Sequence, residues 1–296
     1  MPEPPPNVRL QLLNTPENVV LVREMLTGLA EAVRIGEHDL NDIRTAVTEA
    51  CNNVVLHAYG GAPGPMEVDV CVASGAVAVH VRDGGLGIQN RGEHAQDFEG
   101  EIEDSFDGDT ETELPSAGIG LHVIETLAHE VEFGRGPGGG TEVRMRFSLP
   151  PVEAFEACSE ERGLATLTLS QTPSTAMFSI APLALARTIL PRMVSALAAR
   201  AHFSTDRISD AQLLADALAA HAAPALNGDQ LNVGVNVGQR EIELHIAPLA
   251  SGAARHLLQD SELDRLGNVI RKLTDRHDVA EIGPFETLTL GLLDSR

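Results

Sequence analysis

The stretch Ala46-Val47-Thr48-Glu49-Ala50-Cys51-Asn52-Asn53-Val54-Val55-Leu56-His57-Ala58-Tyr59 decides the reading of this chain. From Asp42 to about Leu56, apolar or small residues fall at Ile43, Ala46, Val47, Ala50 and Val54, the spacing of one helix face. Glu49 and Asn53 stand four apart on the opposite face, so they project together from consecutive turns. A carboxylate and an amide oxygen so placed suit a magnesium-phosphate site, where the amide coordinates a hard cation and the carboxylate takes a proton. Alone, the pair reads more readily as a solvated helix face.

Three glycine signals follow in order. Val77-Ala78-Val79-His80-Val81-Arg82 predicts a strand with Asp83 at its end, then Gly84, Gly85, Leu86 and Gly87. An aspartate there accepts a hydrogen bond from an adenine amino group while glycines let a planar base approach the backbone; an ordinary Asp-Gly turn closing a hairpin is the alternative. Gly118-Ile119-Gly120 opens an apolar helix through Leu121, Val123, Ile124 and Leu127. Glycines before a helix free its backbone N–H groups to bind phosphate, although a flexible loop would look the same. Gly136 to Gly140 and Thr141 precede an alternating strand, Glu142 to Phe147, and by themselves would be a hairpin turn. Each signal alone is weak, but four in sequence at helix and strand boundaries point to an ATP site.

Residues from about Pro16 to Leu149 resemble the GHKL (histidine kinase-like) ATPases, in the branch of anti-sigma factor serine/threonine protein kinases. The resemblance rests on Glu49 and Asn53, on Asp83, Gly85 and Gly87, on Gly118 and Gly120, and on Gly140 and Thr141. His57 and Tyr59 match the family's His-x-Tyr ending of the first helix motif. It implies an α/β fold, a two-layer sandwich of a mixed, mainly antiparallel sheet with helices on one face. It also implies ATP and Mg2+ as cofactors. Glu49 would be the general base that deprotonates a serine or threonine hydroxyl, Asn53 the metal ligand, and Asp83 the adenine reader. Gly85, Gly87, Gly118, Gly120 and Thr141 would complete the nucleotide contacts. Positioning and charge neutralisation supply most of phosphoryl-transfer catalysis, so so sparse a site suffices. The implied partners are a sigma factor and a STAS-domain anti-anti-sigma protein, switched off by phosphorylation. Arg23 falls where the family carries a partner-contacting arginine, and members work as homodimers.

Two departures stand out. Residues 89–117, where a short lid is expected, hold ten acids against the single base Arg91. A net of about −9 beside a polyanion site self-repels and opposes nucleotide binding at low salt; it reads as a solvated, disordered loop without a role or, more sharply, as a docking or gating element for a basic partner. Residues 151–164, entered through Pro150-Pro151 and carrying Glu153, Glu156, Glu160 and Glu161, read as a linker, and 165–296 read as an eroded second copy of the domain in 1–150. Ile208-Ser209-Asp210-Ala211 parallels Leu40-Asn41-Asp42-Ile43, and Glu243 to Ile246 parallels Ala78 to Val81. Leu266 to Ile270 matches Gly120 to Ile124, and Glu286 to Leu290 matches Thr141 to Met145. In this alignment Glu49 meets Ala217, Asn53 meets His221 and Asp83 meets Pro248, so the second copy should bind no ATP. The chain would then be an intrachain pseudodimer, or would pair again as a homodimer.

Composition bounds these readings. The chain of 296 residues is long enough for two cores. Its net charge of −22, −16 of it in residues 1–150, excludes direct nucleic-acid binding and suits a basic partner. No apolar run reaches membrane-spanning length, and Met1-Pro2-Glu3-Pro4-Pro5-Pro6 is no signal peptide. Cys51, Cys71 and Cys158 form no metal spacing, so a cytoplasmic protein is expected. The leading function is an ATP-dependent serine/threonine kinase that also acts as an anti-sigma factor in a partner-switching pathway. The alternatives are a non-catalytic, nucleotide-gated scaffold for regulatory proteins, and simple ATP hydrolysis.

Overall fold

Alternation of apolar residues builds the sheet from its centre outward. Val8, Leu10 and Leu12 point inward from β1 (Val8–Leu13), and Ala176, Phe178 and Ile180 do the same from β6 (Ala176–Ile180). The two strands pair antiparallel, with Leu10 opposite Phe178. The computed structural model describes residues 6–73, 75–85, 119–136, 139–150, 176–226, 228–260, 262–263 and 267–295. The segments 89–117 and 151–164, with Gly87, Gly118 and Cys158, lie outside the described residues.

On one side of the seam, β1 is followed by α1 (Pro16–Val33), α2 (Glu37–Asn53), β2 (Pro65–Ala73) and β3 (Ala76–Asp83). Then come α3 (Ile119–Leu127), β4 (Glu130–Arg135) and β5 (Thr141–Ser148). On the other side, β6 leads into α4 (Ala186–Arg200), α5 (Thr205–His221), β7 (Leu231–Gly238) and β8 (Glu241–Ala250). That half ends in α6 (Ala253–Asp260), β9 (Glu262–Leu263), β10 (Gly267–Asn268), α7 (Val269–Leu273), β11 (Arg276–Ile282) and β12 (Phe285–Leu293).

Among the described residues ten strands form one sheet in the order β11-β12-β8-β7-β6-β1-β2-β3-β5-β4, which reads as the same connectivity from either end. Every pairing among the described strands is antiparallel, within the mainly antiparallel sheet expected from the sequence. The registers agree too: His80 faces Asp69 and Arg144, and His245 faces Gly234 and Thr289. The second half therefore repeats the element order of the first, with α6 and the β9–β10 hairpin between β8 and α7.

Helices cover one face. Helix α2 buries Ile43, Ala46, Val47, Ala50 and Cys51, the face expected from spacing. Helix α1 crosses α4 closely: a Cβ on Gly28 would lie 2.7 Å from the Thr188 carbonyl oxygen, so the crossing requires glycine. Side chains add to the seam. Asn7 Nδ2 donates to the Ala181 carbonyl (3.0 Å) while its Oδ1 accepts from Val72 N–H (2.7 Å). Arg200 donates to Asn18 Oδ1 at 2.8 Å, and Arg192 to Glu31 at 2.7 Å.

The opposite face of the first half carries an ion network. Arg82 bridges Asp69 (2.6 Å), Glu67 (2.8 Å) and Glu142 (2.6 Å), Arg9 adds a second guanidinium on Asp69, and Arg144 meets Glu142 at 2.9 Å. Burial pulls the Arg82 pKa down, but Asp69 and Glu142 outweigh it and hold the guanidinium charged.

Candidate functional site

Helix α2 sets the site by a stripe of residues four apart: Asn41, Thr45, Glu49 and Asn53. At its end the helix widens into a π-helical turn, Val54–Ala58, a local distortion common near functional sites. Helix α3 packs alongside and brings Gly120 over the two polar residues. A Cβ on Gly120 would sit 3.1 Å from Glu49 Oε2 and 3.5 Å from Asn53 Oδ1. Any side chain at 120 would fill the space that these oxygens face. Cys51, between Glu49 and Asn53 in the chain and on the buried face of α2, is fully buried, and burial pushes its thiol up to about 12, so it supplies no nucleophile.

Strand β3 alternates Val77, Val79, Val81 and Asp83 toward the core, which seats the Asp83 carboxylate at the floor of the cleft. Its Oδ1 accepts from Gly85 N–H (2.8 Å) and Thr141 N–H (3.1 Å). Among the described residues Oδ2 makes no hydrogen bond, so it remains an acceptor for an exocyclic amino group. A Cβ on Gly140 would collide with the Asp83 carbonyl and carboxylate, so β5 approaches this floor only through glycine. Gly136 N–H donates to the Gly140 carbonyl at 2.9 Å, so the expected hairpin turn and a wall of the cleft are one structure.

Tyr59 locks the β3 turn onto the end of α2. Its hydroxyl donates to the Pro65 carbonyl (2.6 Å) and accepts from Gly84 N–H (2.7 Å), and its ring lies against Gly64. Burial and the nearby Asp83 push this hydroxyl's pKa up, against the Gly84 N–H that favours its ionised form. On the outer side of Glu49, a polar hollow of about 200 Å³ is lined by Arg23, Asn41, Arg44, Thr45 and Thr48 as well. Glu49 thus stands between the Gly120 space and a hollow that opens on two arginines.

Of the residues expected from sequence, Glu49, Asn53 and Gly120 meet in one cluster, and Asp83, Gly85 and Thr141 in a second. Contact of Gly85 with the Ala58 carbonyl joins the two clusters. The roles of Tyr59 and of the hollow were not foreseen; the four-residue spacing of Asn41 and Thr45 ahead of Glu49 was the available signal. The glycine cradle, the unfilled Oδ2 and the paired Glu49–Asn53 oxygens fit a purine nucleotide with a hard cation. Among the described residues no group of three or more His, Cys, Asp or Glu gathers as a metal cage, so a single amide oxygen fits a cation held mostly by phosphates and water.

In the second half, Ala217 and His221 fall on α5 where Glu49 and Asn53 fall on α2; both helices have 17 residues. Pro248 stands at the level of Asp83, and Phe285 and Glu286 follow Gly140 and Thr141 in sequence order, set one step out of register by a bulge between Glu286 and Leu288. Glu286 is buried, and its oxygens accept from Gly252 N–H (2.7 Å) and Ala254 N–H (3.0 Å) at the start of α6. These two N–H groups hold its pKa below the usual carboxylate range. A carboxylate of the protein thus takes the helix-start donors that an anionic ligand would otherwise use.

Residues 12–147 match the family model described as histidine kinase-like ATPase domain. The chain is similar to the anti-sigma F factor of Caldanaerobacter subterraneus subsp. tengcongensis, 30% identical over 138 residues, 47% of this chain and 90% of that protein. It is also similar to the serine-protein kinase RsbW of Bacillus licheniformis, 33% identical over 118 residues, 39% of this chain and 70% of that one. The anti-sigma F factor of Geobacillus thermodenitrificans is 28% identical over 149 residues, 50% of this chain and 96% of that protein.

Proposed function

The chain belongs to the histidine kinase-like ATPase family, and from that membership we propose that it is an ATP-dependent serine/threonine protein kinase and anti-sigma factor. Residues 1–150 would be the catalytic unit and 165–296 a degenerate copy without a nucleotide site. The observation that carries this reading is the convergence of Glu49 Oε2 and Asn53 Oδ1 on Gly120. The names of the relatives, serine-protein kinase and anti-sigma F factor, supply the acceptor class and the partner class.

In this reading Asp83 Oδ2 accepts the adenine amino hydrogen while Oδ1 keeps the Gly85 and Thr141 backbone in place. Asn53 Oδ1 offers one ligand to Mg2+, which when bound neutralises charge on the phosphates. Glu49 faces the hollow lined by Arg23, Arg44, Thr45 and Thr48, the side from which an acceptor hydroxyl would arrive. Its carboxylate would take the hydroxyl proton as the oxygen bonds to the γ-phosphorus and the bond to the bridging oxygen breaks to release ADP, and Gly120 leaves room for the phosphate beside Glu49 and Asn53. The acceptor would be a STAS-type antagonist, and the protein would work in the cytoplasm, binding its sigma factor in the unswitched state. Among the described residues no helix is long and apolar enough to cross a membrane.

Glu49→Ala is the test. Transfer of phosphate to the acceptor should fall about 10²–10⁴-fold while nucleotide affinity stays within about twofold. Undiminished transfer would remove Glu49 from the role of base. Nucleotide binding without transfer to any protein in the unaltered chain would favour the scaffold, and phosphate release into water would favour hydrolysis.

A further inference from the structure

The second half keeps the concavity of the nucleotide site while its chemistry has been replaced. Between the end of α5 and the end of β8 lies a pocket of about 480 Å³, within the range of small-molecule sites. Its place matches that of the first-half cleft, which lies between the end of α2 and the end of β3. Its walls are Pro224, Ala225, Ala250, Ala253 and Leu257, and its polar points are His221, Ser251 and His256. His221 stands at the level of Asn53, so a metal-phosphate ligand position has become an imidazole at the rim of an apolar hollow.

We propose that this pocket is a second binding site, for a small, uncharged, largely apolar molecule with one or two hydrogen-bonding groups. Three observations fix that class. The apolar walls favour hydrocarbon or ring surface. Among the described residues no lysine, arginine, aspartate or glutamate lines the pocket, so no fixed charge on its walls favours an ionised ligand. Finally, Glu286 already takes the Gly252 and Ala254 N–H groups at the start of α6, so those donors are closed to a phosphate. Imidazole both donates and accepts, and a serine hydroxyl does the same, which suits a neutral ligand bearing an amine, amide or hydroxyl. The half that holds this pocket is joined to the first through one continuous sheet.

The test is a fluorescence titration of the full chain with the neutral probe N-phenyl-1-naphthylamine, run beside Ala250→Phe. Ala250 is half-buried on the pocket wall, so phenylalanine there fills the hollow. One saturable site in the unaltered chain, weakened at least tenfold by Ala250→Phe and not displaced by ATP, is the expected result. Where Ala250→Phe does not melt cooperatively, the double variant His221→Ala with His256→Ala replaces it, with a loss of about threefold or more expected. The proposal is overturned if the unaltered chain takes up no probe, if ATP displaces it, or if a normally melting variant binds it undiminished. None of these outcomes bears on transfer by Glu49, so the two readings fail separately.

Discussion

Helices α2 and α5 are equally long and equally placed beside the sheet, yet one carries Glu49 and Asn53 and the other Ala217 and His221. The inward faces are close counterparts. Ile43, Ala46, Val47 and Ala50 are buried on α2, as Ala211, Leu214, Ala215 and Leu218 are on α5. The difference teaches that the fold is held by the buried alternation and the helix stripes, while the chemistry rests on a few positions that can change without losing it. The carboxylates make the same point. Asp83 holds its turn from the end of β3 and keeps one oxygen open, whereas Glu286 holds the corresponding region from β12 and spends both oxygens on backbone.

Substitutions that break this contrast should act on one half alone. The largest effect is expected from Gly140→Val, whose side chain would collide with the Asp83 carbonyl. Nucleotide affinity should fall more than about 100-fold and stability by about 1–3 kcal/mol, read by calorimetric titration with ADP and by thermal melting. Phe285→Ala, at the corresponding place in sequence order, should leave affinity unchanged; a comparable drop there would mean that the second half holds nucleotide too. Asp83→Asn comes next. It converts an acceptor into a donor facing the base and should weaken ADP about 10–100-fold, whereas Glu286→Gln should lower the melting temperature and spare ADP binding.

The seam gives a third contrast. Asn7→Ala leaves the Ala181 carbonyl and Val72 N–H without their buried partner and should cost about 1–3 kcal/mol in a denaturant melt. Because the sheet is continuous, a single shifted transition is expected; two transitions, one unmoved, would show that the halves unfold independently. The smallest effect is on pH dependence. Burial pushes the Glu142 carboxyl up, but Arg82 and Arg144 outweigh it and hold its pKa below the usual value. Its folded pKa therefore lies below its unfolded one, near 4.3. The stabilisation is complete above the unfolded value and is lost as pH falls through the folded value. Melting temperature should decline below about pH 4, and Glu142→Gln should flatten that decline; an unchanged slope would assign it to other carboxylates.

Much of the first half was legible in the sequence because its chemistry restricts residue type at fixed spacings. Glu49 with Asn53, the strand ending at Asp83, the helix opening at Gly120 and the strand from Thr141 all stand where the pattern put them. The repeat was legible through order rather than identity, since buried alternation tolerates exchange among apolar residues. Three features were not legible. The π-turn at the end of α2, against which Gly85 lies and which Tyr59 follows, is not encoded by hydrophobic spacing. Helix α6 is short, and its start is fixed by Glu286, more than thirty residues away in the chain. The second pocket is lined by alanine, proline and leucine, residue types that carry no signal until a fold arranges them around a space.

The pairing of β1 with β6 also fixes stoichiometry. Two separate copies joined along such an edge would come apart on dilution, and their pairing would vary with cellular abundance. Here both strands belong to one polypeptide, so closure of the seam is unimolecular and indifferent to concentration. Each molecule carries one of each half at every expression level, and a change in the number of molecules cannot alter the ratio.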